Sequence, residues 1–316
     1  MTKETIWQLR CDEYDSAFAN ITQITIRFPQ APHSYLLAAD AYQTMMRDYR
    51  VRIYEAEFDS VIDLTIAKAK QALQKERTAL NYFMLGTAQG YLGIHEFYLG
   101  NLLRGVSTAF GAIKTMKAAI HADEAFADPL FALAIYDFGQ YKALGWGLGF
   151  FKRKREKALQ QLQEVQRHGS YAVYHAMYSQ QRIYFDGGEF EKALAINDRL
   201  YQTFFKNPSC LYHRALLLDK TGRYAQTAEI WQELIDRINA FVAPSNGFLG
   251  ECYYHLAVNA WEQGNLREAI SKIKLAQGYL IKFDEKRELN GPYFKNKDLK
   301  KWTKNKHKKW QVQKHK

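Results

Sequence analysis

The stretch Gly188-Glu189-Phe190-Glu191-Lys192-Ala193 recurs after 34 residues as Gly222-Arg223-Tyr224-Ala225-Gln226-Thr227. A third copy, Gly264-Asn265-Leu266-Arg267-Glu268-Ala269, begins 42 residues after the second. A period of about 34 residues, with glycine ending one helix and a small residue early in the next, is typical of stacked helix-turn-helix repeats. The pattern therefore predicts an all-α fold, an α-solenoid of about six to seven stacked antiparallel helix pairs.

Each residue type in the motif has a mechanical reason. Glycine tolerates the left-handed backbone that ends a helix, the aromatic side chain fills the inner corner of the turn, and alanine lets two helices approach closely. We therefore expect the repeats to pack through the glycines, aromatic residues and alanines of the motif and its counterparts, namely Ala17, Gly188, Phe190, Ala193, Gly222, Tyr224, Gly264 and Ala269.

These segments resemble tetratricopeptide (TPR) repeats, in which a first helix with small and aromatic residues pairs with a second helix opened by Gly-x-aromatic-x-x-Ala. Around the third motif the matching positions are Tyr253, Ala257, Ala260, Ala269, Ile273 and Ala276. Near the N-terminus a second helix with its terminating proline is matched by Tyr14, Ala17, Ile21, Ile24 and Pro29. The resemblance implies a right-handed α-solenoid. The order of features is also similar to a group of bacterial TPR-containing proteins.

Residues 1–284 are expected to form one TPR-like solenoid domain, in which 49–121 carries degenerate repeats. The net charge of the chain is +11, but residues 285–316 hold 11 Lys and one Arg against Glu285, Glu288 and Asp298, which gives +9. Because Asn290-Gly291-Pro292 ends any helix that reaches it, we expect this Lys-rich C-terminal tail, 285–316, to be flexible.

The sequence offers no constellation of residues for catalysis, a metal or a cofactor. Its three cysteines form no CxxC pair, and His95-Glu96 has no second histidine at metal-ligand spacing. The glycine-rich run Gly145-Trp146-Gly147-Leu148-Gly149 follows a predicted helix rather than a strand, which disfavours a nucleotide-binding loop. We therefore expect a non-enzymatic protein without a cofactor. An enzyme whose groups meet only in the fold ranks last among the alternatives.

An apolar run at 143–151 is followed directly by four cations, an order that suits an anionic membrane surface. The candidate contacts with membrane or phosphate are Trp146, Phe150, Phe151, Lys152, Arg153, Lys154 and Arg155. The alternative is that the aromatic side chains pack between repeats and the cations are solvated. Lysines and tryptophans of the tail would also attract phosphates, but nucleic-acid binding is disfavoured because lysine lacks the bidentate fork of arginine.

Solenoids expose a concave face to partners. Tyrosines on the first helix of each repeat would line that face. These candidates are Tyr35, Tyr42, Tyr82, Tyr136, Tyr174 and Tyr253. Tyrosine suits peptide recognition because it offers rigid, amphipathic contact area, although the same positions also suit core packing. We expect a protein–protein interaction scaffold that binds a peptide or helical segment of a partner on its concave face. The alternative is an envelope-associated adaptor that contacts anionic membrane through 143–155 and the tail.

The sequence leaves the compartment and the oligomeric state open. No uninterrupted apolar stretch reaches the ~18 residues of a membrane-spanning helix. The first residues, Met1-Thr2-Lys3-Glu4-Thr5-Ile6-Trp7, contain no apolar core of a signal peptide. The chain as written is expected in the cytoplasm, or in the bacterial periplasm or envelope if an export signal precedes it.

Overall fold

The structure is a computed structural model that describes residues 2–144 and 149–314, with side chains described outside 144–152 and 314–316. Within those residues, α-helices are the only extended regular elements, and an isolated β-bridge joins Val51 to Glu288. The all-α fold class predicted from the repeats is therefore confirmed.

The helices follow one another through short turns and loops. In chain order they are α1 (Thr2–Arg10), α2 (Tyr14–Arg27), α3 (Pro32–Tyr49), α4 (Glu55–Lys75), α5 (Ala79–Tyr98), α6 (Leu102–Ala122), α7 (Leu130–Leu144), α8 (Gly149–His168), α9 (Val173–Asp186), α10 (Phe190–Phe204), α11 (Pro208–Lys220), α12 (Tyr224–Ala240), α13 (Asn246–Glu262), α14 (Leu266–Ile281) and α15 (Asn296–Lys314).

Two compact units divide the chain. Unit 1 comprises Met1–Gln43 and Ala56–Leu200, and unit 2 comprises Thr44–Glu55 and Tyr201–Lys316. Consecutive helices pack as pairs within each unit: α1 with α2, α5 with α6 and α7 with α8 in unit 1, and α11 with α12 and α13 with α14 in unit 2. The predicted architecture of helix pairs is confirmed.

The core of unit 1 forms where its helices bury their apolar stripes. At the N-terminal end, Leu9 of α1 packs with Ala17 and Ile21 of α2 and with Leu37 of α3. Spacings of three and four residues along α2 place its apolar side chains on one face, which the neighbouring helices cover. Burial of these stripes, rather than helix propensity alone, stabilises the pairs.

A buried carboxylate fixes the start of α9 in unit 1. Asp128 accepts hydrogen bonds from the backbone N–H groups of Ser170 at 2.9 Å, Tyr171 at 2.8 Å and Ala172 at 2.7 Å. A negative charge at this position also matches the positive end of the helix dipole. The loop before α7 and the loop before α9 are therefore held together by one side chain.

The same glycine turn joins α5 to α6, α9 to α10, α11 to α12 and α13 to α14. Gly100, Gly188, Gly222 and Gly264 have φ angles of 82°, 73°, 73° and 79°. In each turn the residue after glycine donates its backbone N–H to the carbonyl five residues earlier, as Asn265 does to Ala260 at 2.8 Å. This bond satisfies a carbonyl at the helix end, and only glycine adopts the left-handed backbone without steric cost.

The turn at Gly100 shows that the region 49–121 contains a regular helix pair, α5 with α6. Its sequence, Gly100-Asn101-Leu102-Leu103-Arg104-Gly105, replaces the aromatic residue with leucine and the alanine with glycine. The replacement residues keep the same properties, an apolar side chain at the turn and a small residue in the first helical turn.

The C-terminal residues correct one expectation. A flexible tail was expected at 285–316, but 296–314 forms helix α15, which packs on α14. Leu299, Thr303 and Trp310 are buried, and the Trp310 ring stacks on Trp261 with centroids 4.9 Å apart. The expectation was wrong because it weighed the lysine content and overlooked apolar residues at helical spacing, which bury one face of the helix.

The connection between α14 and α15 is also fastened within unit 2. Leu289 donates its backbone N–H to the carbonyl of Arg50 at 2.9 Å. The buried Glu288 carboxylate accepts from the Ser245 hydroxyl at 2.8 Å and from the Gly247 backbone N–H at 2.7 Å. These bonds occupy the N-terminus of α13 and tie the C-terminal segment to the rest of the unit.

Candidate partner-binding surface

Helices α5 and α6 of unit 1 lie in close contact because glycines stand at their crossing. A Cβ atom at Gly93 would lie 3.3 Å from the carbonyl oxygen of Gly105, and one at Gly105 would lie 3.2 Å from the carbonyl oxygen of Gly93. Both distances are shorter than ordinary van der Waals contact, so the absence of a side chain is what permits this approach. The two helices form a tightly packed hairpin.

The buried Glu96 braces the end of this hairpin. Its carboxylate accepts a hydrogen bond from Nδ2 of Asn101 at 2.8 Å and pairs with Nε of Arg104 at 3.0 Å. Its backbone carbonyl accepts from the N–H of Asn101 at 2.9 Å. One residue thus holds both the Gly100 turn and the first turn of α6.

Six large apolar side chains are exposed around this end, and we call them the α5–α6 apolar surface: Phe97, Tyr98, Leu102, Leu103, Val106 and Phe110. Leu103 is 90% exposed, Leu102 62% and Phe110 57%. Single exposed apolar residues are ordinary on a protein surface, but contiguous apolar patches mark sites of interaction. Positions 102, 103, 106 and 110 fall within about 100° around α6, and the Phe97 ring of α5 lies against Gly105 of α6, so the group forms one surface.

The exposed face of α6 changes from apolar to basic along its length. Leu103, Phe110, Lys114 and Lys117 are all exposed, and positions 103, 107, 110, 114, 117 and 121 fall within about 40° of one line along the helix. Leu103, Ser107 and Phe110 occupy the N-terminal half of the line, where the large side chains are apolar, and Lys114, Lys117 and His121 occupy the C-terminal half. We call this line the α6 stripe.

Two of the predicted tyrosines pack inside unit 1. Tyr174 is buried, and the guanidinium of Arg10 lies 5.2 Å from its ring centroid. Tyr82 is half-buried and packs against the cluster formed by Phe83, Met116 and Ala119.

The other predicted tyrosines are also half-buried and make separate contacts. Tyr35 donates its hydroxyl to the Pro29 carbonyl at 3.1 Å. Tyr42 packs on Phe18 with ring centroids 5.1 Å apart, and it lines an open cleft of ≈ 430 Å³ with the 56–61 part of α4. In unit 2, the Tyr253 ring stacks on Tyr279 with centroids 5.4 Å apart.

Tyr136 is the predicted tyrosine that adjoins the α5–α6 apolar surface. Its ring meets that of Phe110 edge-to-face, with centroids 5.9 Å apart. Ile135, the preceding residue of α7, is 39% exposed. Helix α7 therefore borders the apolar surface, and one sequence-predicted residue lies at its edge.

The residues predicted for membrane or phosphate contact are described only in part. Trp146 lies outside the described residues, and the side chains of Phe150, Phe151 and Lys152 lie outside the described side chains. Nζ of Lys154 pairs with Oδ1 of Asp137 at 2.7 Å, and Arg155 pairs with Glu189. Arg153 is exposed. Of the three cations whose side chains are described, intramolecular carboxylates engage two.

His95 and Cys252 are buried in the packing of the helices. His95 is buried, its ring lies 4.6 Å from that of Phe58, and its Nε2 is 3.6 Å from Oδ1 of Asp59. Burial raises the pKa of the Cys252 thiol, which disfavours the reactive thiolate. Over the described part of the chain, no group of three or more His, Cys, Asp or Glu is arranged to hold a metal ion. No helix described here is long and apolar enough to cross a membrane.

Unit 2 contains a buried polar cluster centred on Glu251. Its carboxylate accepts from Nη1 of Arg50 at 2.7 Å and from the Tyr212 hydroxyl at 2.6 Å. Burial opposes the charge of the guanidinium, but the Glu251 carboxylate outweighs it and raises the pKa of Arg50. Burial, and then the same carboxylate, raises the pKa of Tyr212. All three side chains are satisfied by one another, which is the arrangement of a structural cluster.

Sequence reasoning missed the α5–α6 apolar surface, although a signal for it exists. Leu103 and Phe110 are separated by seven residues, and Lys114 and Lys117 continue the same helical face. A helix face that joins large apolar residues to lysines in one line is not a purely buried face, because lysine is almost never fully buried without a partner. The turns at Gly100 and Gly264 also share the start Gly-Asn-Leu, which marks Gly100 as a turn of the same kind.

Comparison with known proteins identifies the fold. No protein-family model matches the chain, and no curated protein matches it. Among solved structures, the APC/C hetero-tetramer Cut9–Hcn1 is similar with a TM-score of 0.54 at 11% identity, over 93% of this chain and 53% of that chain. PilW, a widely conserved type IV pilus biogenesis factor, is similar with a TM-score of 0.50 at 13% identity, over 73% of this chain and 91% of that chain.

A third similar structure is YrrB, a TPR protein with an unusual peptide-binding site, with a TM-score of 0.46 at 13% identity, over 67% of this chain and 91% of that chain. At identities this low, likeness between structures speaks for the fold and leaves the partner open. The repeat motif, the four glycine turns and the likeness to Cut9–Hcn1 and PilW agree, and the chain has the all-α, helix-pair fold of a tetratricopeptide-like protein.

Proposed function

We propose that this chain is a non-enzymatic protein–protein interaction scaffold that binds a helical or apolar peptide segment of a partner protein. The observation that supports the proposal is the α5–α6 apolar surface, where Leu103 is 90% exposed beside five other large apolar side chains. Leaving such a surface in water is unfavourable, and burial contributes roughly 25 cal/mol per Å² of apolar area. A partner that covers the α5–α6 apolar surface gains this burial free energy.

The rigidity of the hairpin favours binding. Glycine contacts at Gly93 and Gly105 and the hydrogen bonds of Glu96 fix the surface in advance. A preformed surface loses little conformational freedom when a partner docks, so more of the burial free energy remains as affinity. Helices also present regularly spaced side chains, which suits recognition of another amphipathic helix.

The concave face with its six tyrosines remains a prediction and a second candidate surface. It is less supported, because Tyr174 is buried and the others already contact neighbouring side chains. A half-buried tyrosine still offers part of its side chain to a peptide. Tyr136 belongs to both candidates, since it contacts Phe110.

Contact with an anionic membrane through 143–155 and the tail is the alternative. Pairing of Lys154 and Arg155 with Asp137 and Glu189 lowers the charge available to lipid headgroups. The lysines of α15 stay exposed along most of its length, so weak electrostatic attraction to phosphate is expected there. Nucleic-acid binding ranks lower, because nothing beyond nonspecific charge supports it.

Site-specific photocrosslinking in the native host tests the proposal. A photoreactive amino acid at Leu103 should yield a defined protein adduct, and the same group at the exposed Leu275 of α14 serves as the matched control. The adduct should disappear when Val106→Glu is added, at unchanged helical content. Lipid adducts only, or equal adducts at both positions, would refute a protein-binding role for this surface.

A further inference from the structure

The α6 stripe presents positive charge as well as apolar surface to a partner. Its N-terminal half presents Leu103 and Phe110, and its C-terminal half presents Lys114 and Lys117. From Leu103 to His121 the stripe is about 27 Å long, given a rise of ~1.5 Å per residue. That length matches a partner helix of roughly five turns lying alongside.

Neither an ion pair within the described part of the chain nor the helix dipole accounts for the two lysines. Among the described residues, no carboxylate is ion-paired with Lys114 or Lys117. A cation near a helix C-terminus stabilises the helix dipole, but that effect is confined to the last turn. Lys114 and Lys117 lie eight and five residues before Ala122, the last residue of α6. Their charges are therefore available to a ligand.

Other charges close to the stripe do not cancel these cations. Arg104 is engaged by Glu96 at the apolar end. Asp123 and Glu124 follow the helix and are exposed at the far end, beyond Lys117. A ligand lying along the stripe thus meets apolar side chains first and two lysines next, with acidic groups only past its end.

We propose that the α6 stripe selects a partner segment of defined chemistry: an amphipathic helix with large apolar residues on one half of a face and Asp or Glu on the other half. The apolar half supplies affinity through burial, and the acidic half supplies specificity by pairing with Lys114 and Lys117. A helix with cations in place of the carboxylates would meet like charges and be rejected. This inference rests on the proposed function, because it names the partner class of the same surface.

Selection from a displayed peptide library tests it. The library holds 20-residue helical peptides in which the positions of one face vary among Leu, Phe, Glu, Lys and Ala, and the full chain is the bait. We expect enriched peptides that combine apolar residues with Glu, binding about 3- to 10-fold more tightly than their Glu-to-Lys counterparts at low salt. The preference should weaken as ionic strength rises.

Charge reversal supplies the decisive comparison. On the variant Lys114→Glu/Lys117→Glu, the enriched peptides should carry Lys in place of Glu. The control Lys70→Glu/Lys75→Glu changes the net charge equally at exposed positions of α4 and should leave the preference unchanged.

The remaining outcomes separate this inference from the function on which it rests. Enriched peptides without charge preference, lost on Leu103→Glu, would overturn the inference and leave the proposed function standing. No enrichment on the wild-type chain would count against both. Binding to vesicles of phosphatidylcholine and phosphatidylglycerol that falls on Lys114→Glu/Lys117→Glu, without any enriched peptide, would assign the stripe to membrane and overturn the inference.

Discussion

Arg50 and Glu251 form a buried ion pair in unit 2 across 201 residues of sequence. Nη1 of Arg50 lies 2.7 Å from Oε2 of Glu251, and both side chains are almost fully buried. The guanidinium also lies 3.7 Å from the ring centroid of Phe248. A Cβ atom at Gly291 would lie 2.7 Å from Nη1, so glycine is needed where the C-terminal segment passes the pair.

Removing one partner of this pair should destabilise unit 2. Glu251→Gln leaves the Arg50 charge buried without a counterion, and we expect a loss of roughly 3–5 kcal/mol in the free energy of unfolding. Four of the six tryptophans, Trp231, Trp261, Trp302 and Trp310, lie in unit 2, so fluorescence in urea follows its unfolding.

Glu233→Gln is the matched control for that prediction. It breaks the more exposed pair between Glu233 and Arg237 of α12 and should cost about 1 kcal/mol or less. Equal midpoints of urea unfolding for Glu251→Gln and Glu233→Gln would contradict the assignment of Arg50 and Glu251 as a structural pair.

Two glycines of unit 2 should respond to alanine with opposite sign. Gly264 has a φ of 79°, so Gly264→Ala places a side chain in the left-handed region and should cost about 1–2 kcal/mol. Gly278 lies inside α14 with open space around its Cβ position, so Gly278→Ala should stabilise by roughly 0.5–1 kcal/mol. Urea midpoints measure both, and an unchanged or higher midpoint for Gly264→Ala would show that the turn does not depend on glycine.

The docking of α15 should depend on Trp310. This side chain is 1% exposed and stacks on Trp261, so Trp310→Ala should cost about 3–5 kcal/mol of docking free energy and release the helix. Amide hydrogen exchange of 296–314 should accelerate strongly. Trp302→Ala removes a residue that is 37% exposed and should have a smaller effect. Fast exchange throughout 296–314 in the wild-type chain would restore the expectation of a flexible tail.

Acidification should weaken the contact of α15 through His307. Burial, and then the charge of Lys274, lowers the pKa of His307 below its ordinary value of 6.5. A lowered folded-state pKa means that neutral His307 contributes stability above the unfolded-state value, and that this contribution is lost as pH falls through the folded-state pKa. The unfolding free energy of unit 2 should therefore drop below about pH 6.5.

His307→Gln isolates this contribution. Nδ1 of His307 lies 3.2 Å from Oε1 of Gln277, and glutamine supplies an amide donor that does not titrate. The variant should lose part of the pH dependence between pH 7.5 and 5.5. An identical slope in the variant and the wild type would show that other groups carry the dependence.

The repeat period was sufficient to predict helix pairs, because glycine turns and small packing residues are local requirements. Gly188, Gly222 and Gly264 adopt the left-handed backbone, for which the physical reason lies in the residue itself. The turn at Gly100 does not match the repeat motif by residue identity, because Gly105 stands at the position of the small alanine or threonine. A motif search by residue identity misses such a turn, although the required properties are kept.

Long-range contacts explain why the other features of the structure could not be predicted from the sequence. The spacing of Leu299, Thr303 and Trp310 indicates that α15 has one apolar face, but it does not show that Trp261 of α13 covers that face. Tyrosine at helical spacing suits both a groove and a core, and only packing separates the two for Tyr174. The exposure of Leu103 is also a tertiary property, because it depends on which helices leave that face of α6 uncovered.

The affinity of the protein crosslinked at position 103 for the purified chain is the most direct test of the proposed partner-binding surface. Leu103→Glu should reduce that affinity at least about tenfold without changing the urea unfolding profile, since the side chain is 90% exposed, whereas Tyr253→Ala should leave it unchanged. Unchanged affinity for Leu103→Glu together with a loss for Tyr253→Ala would place the binding site on the tyrosine face and contradict the account.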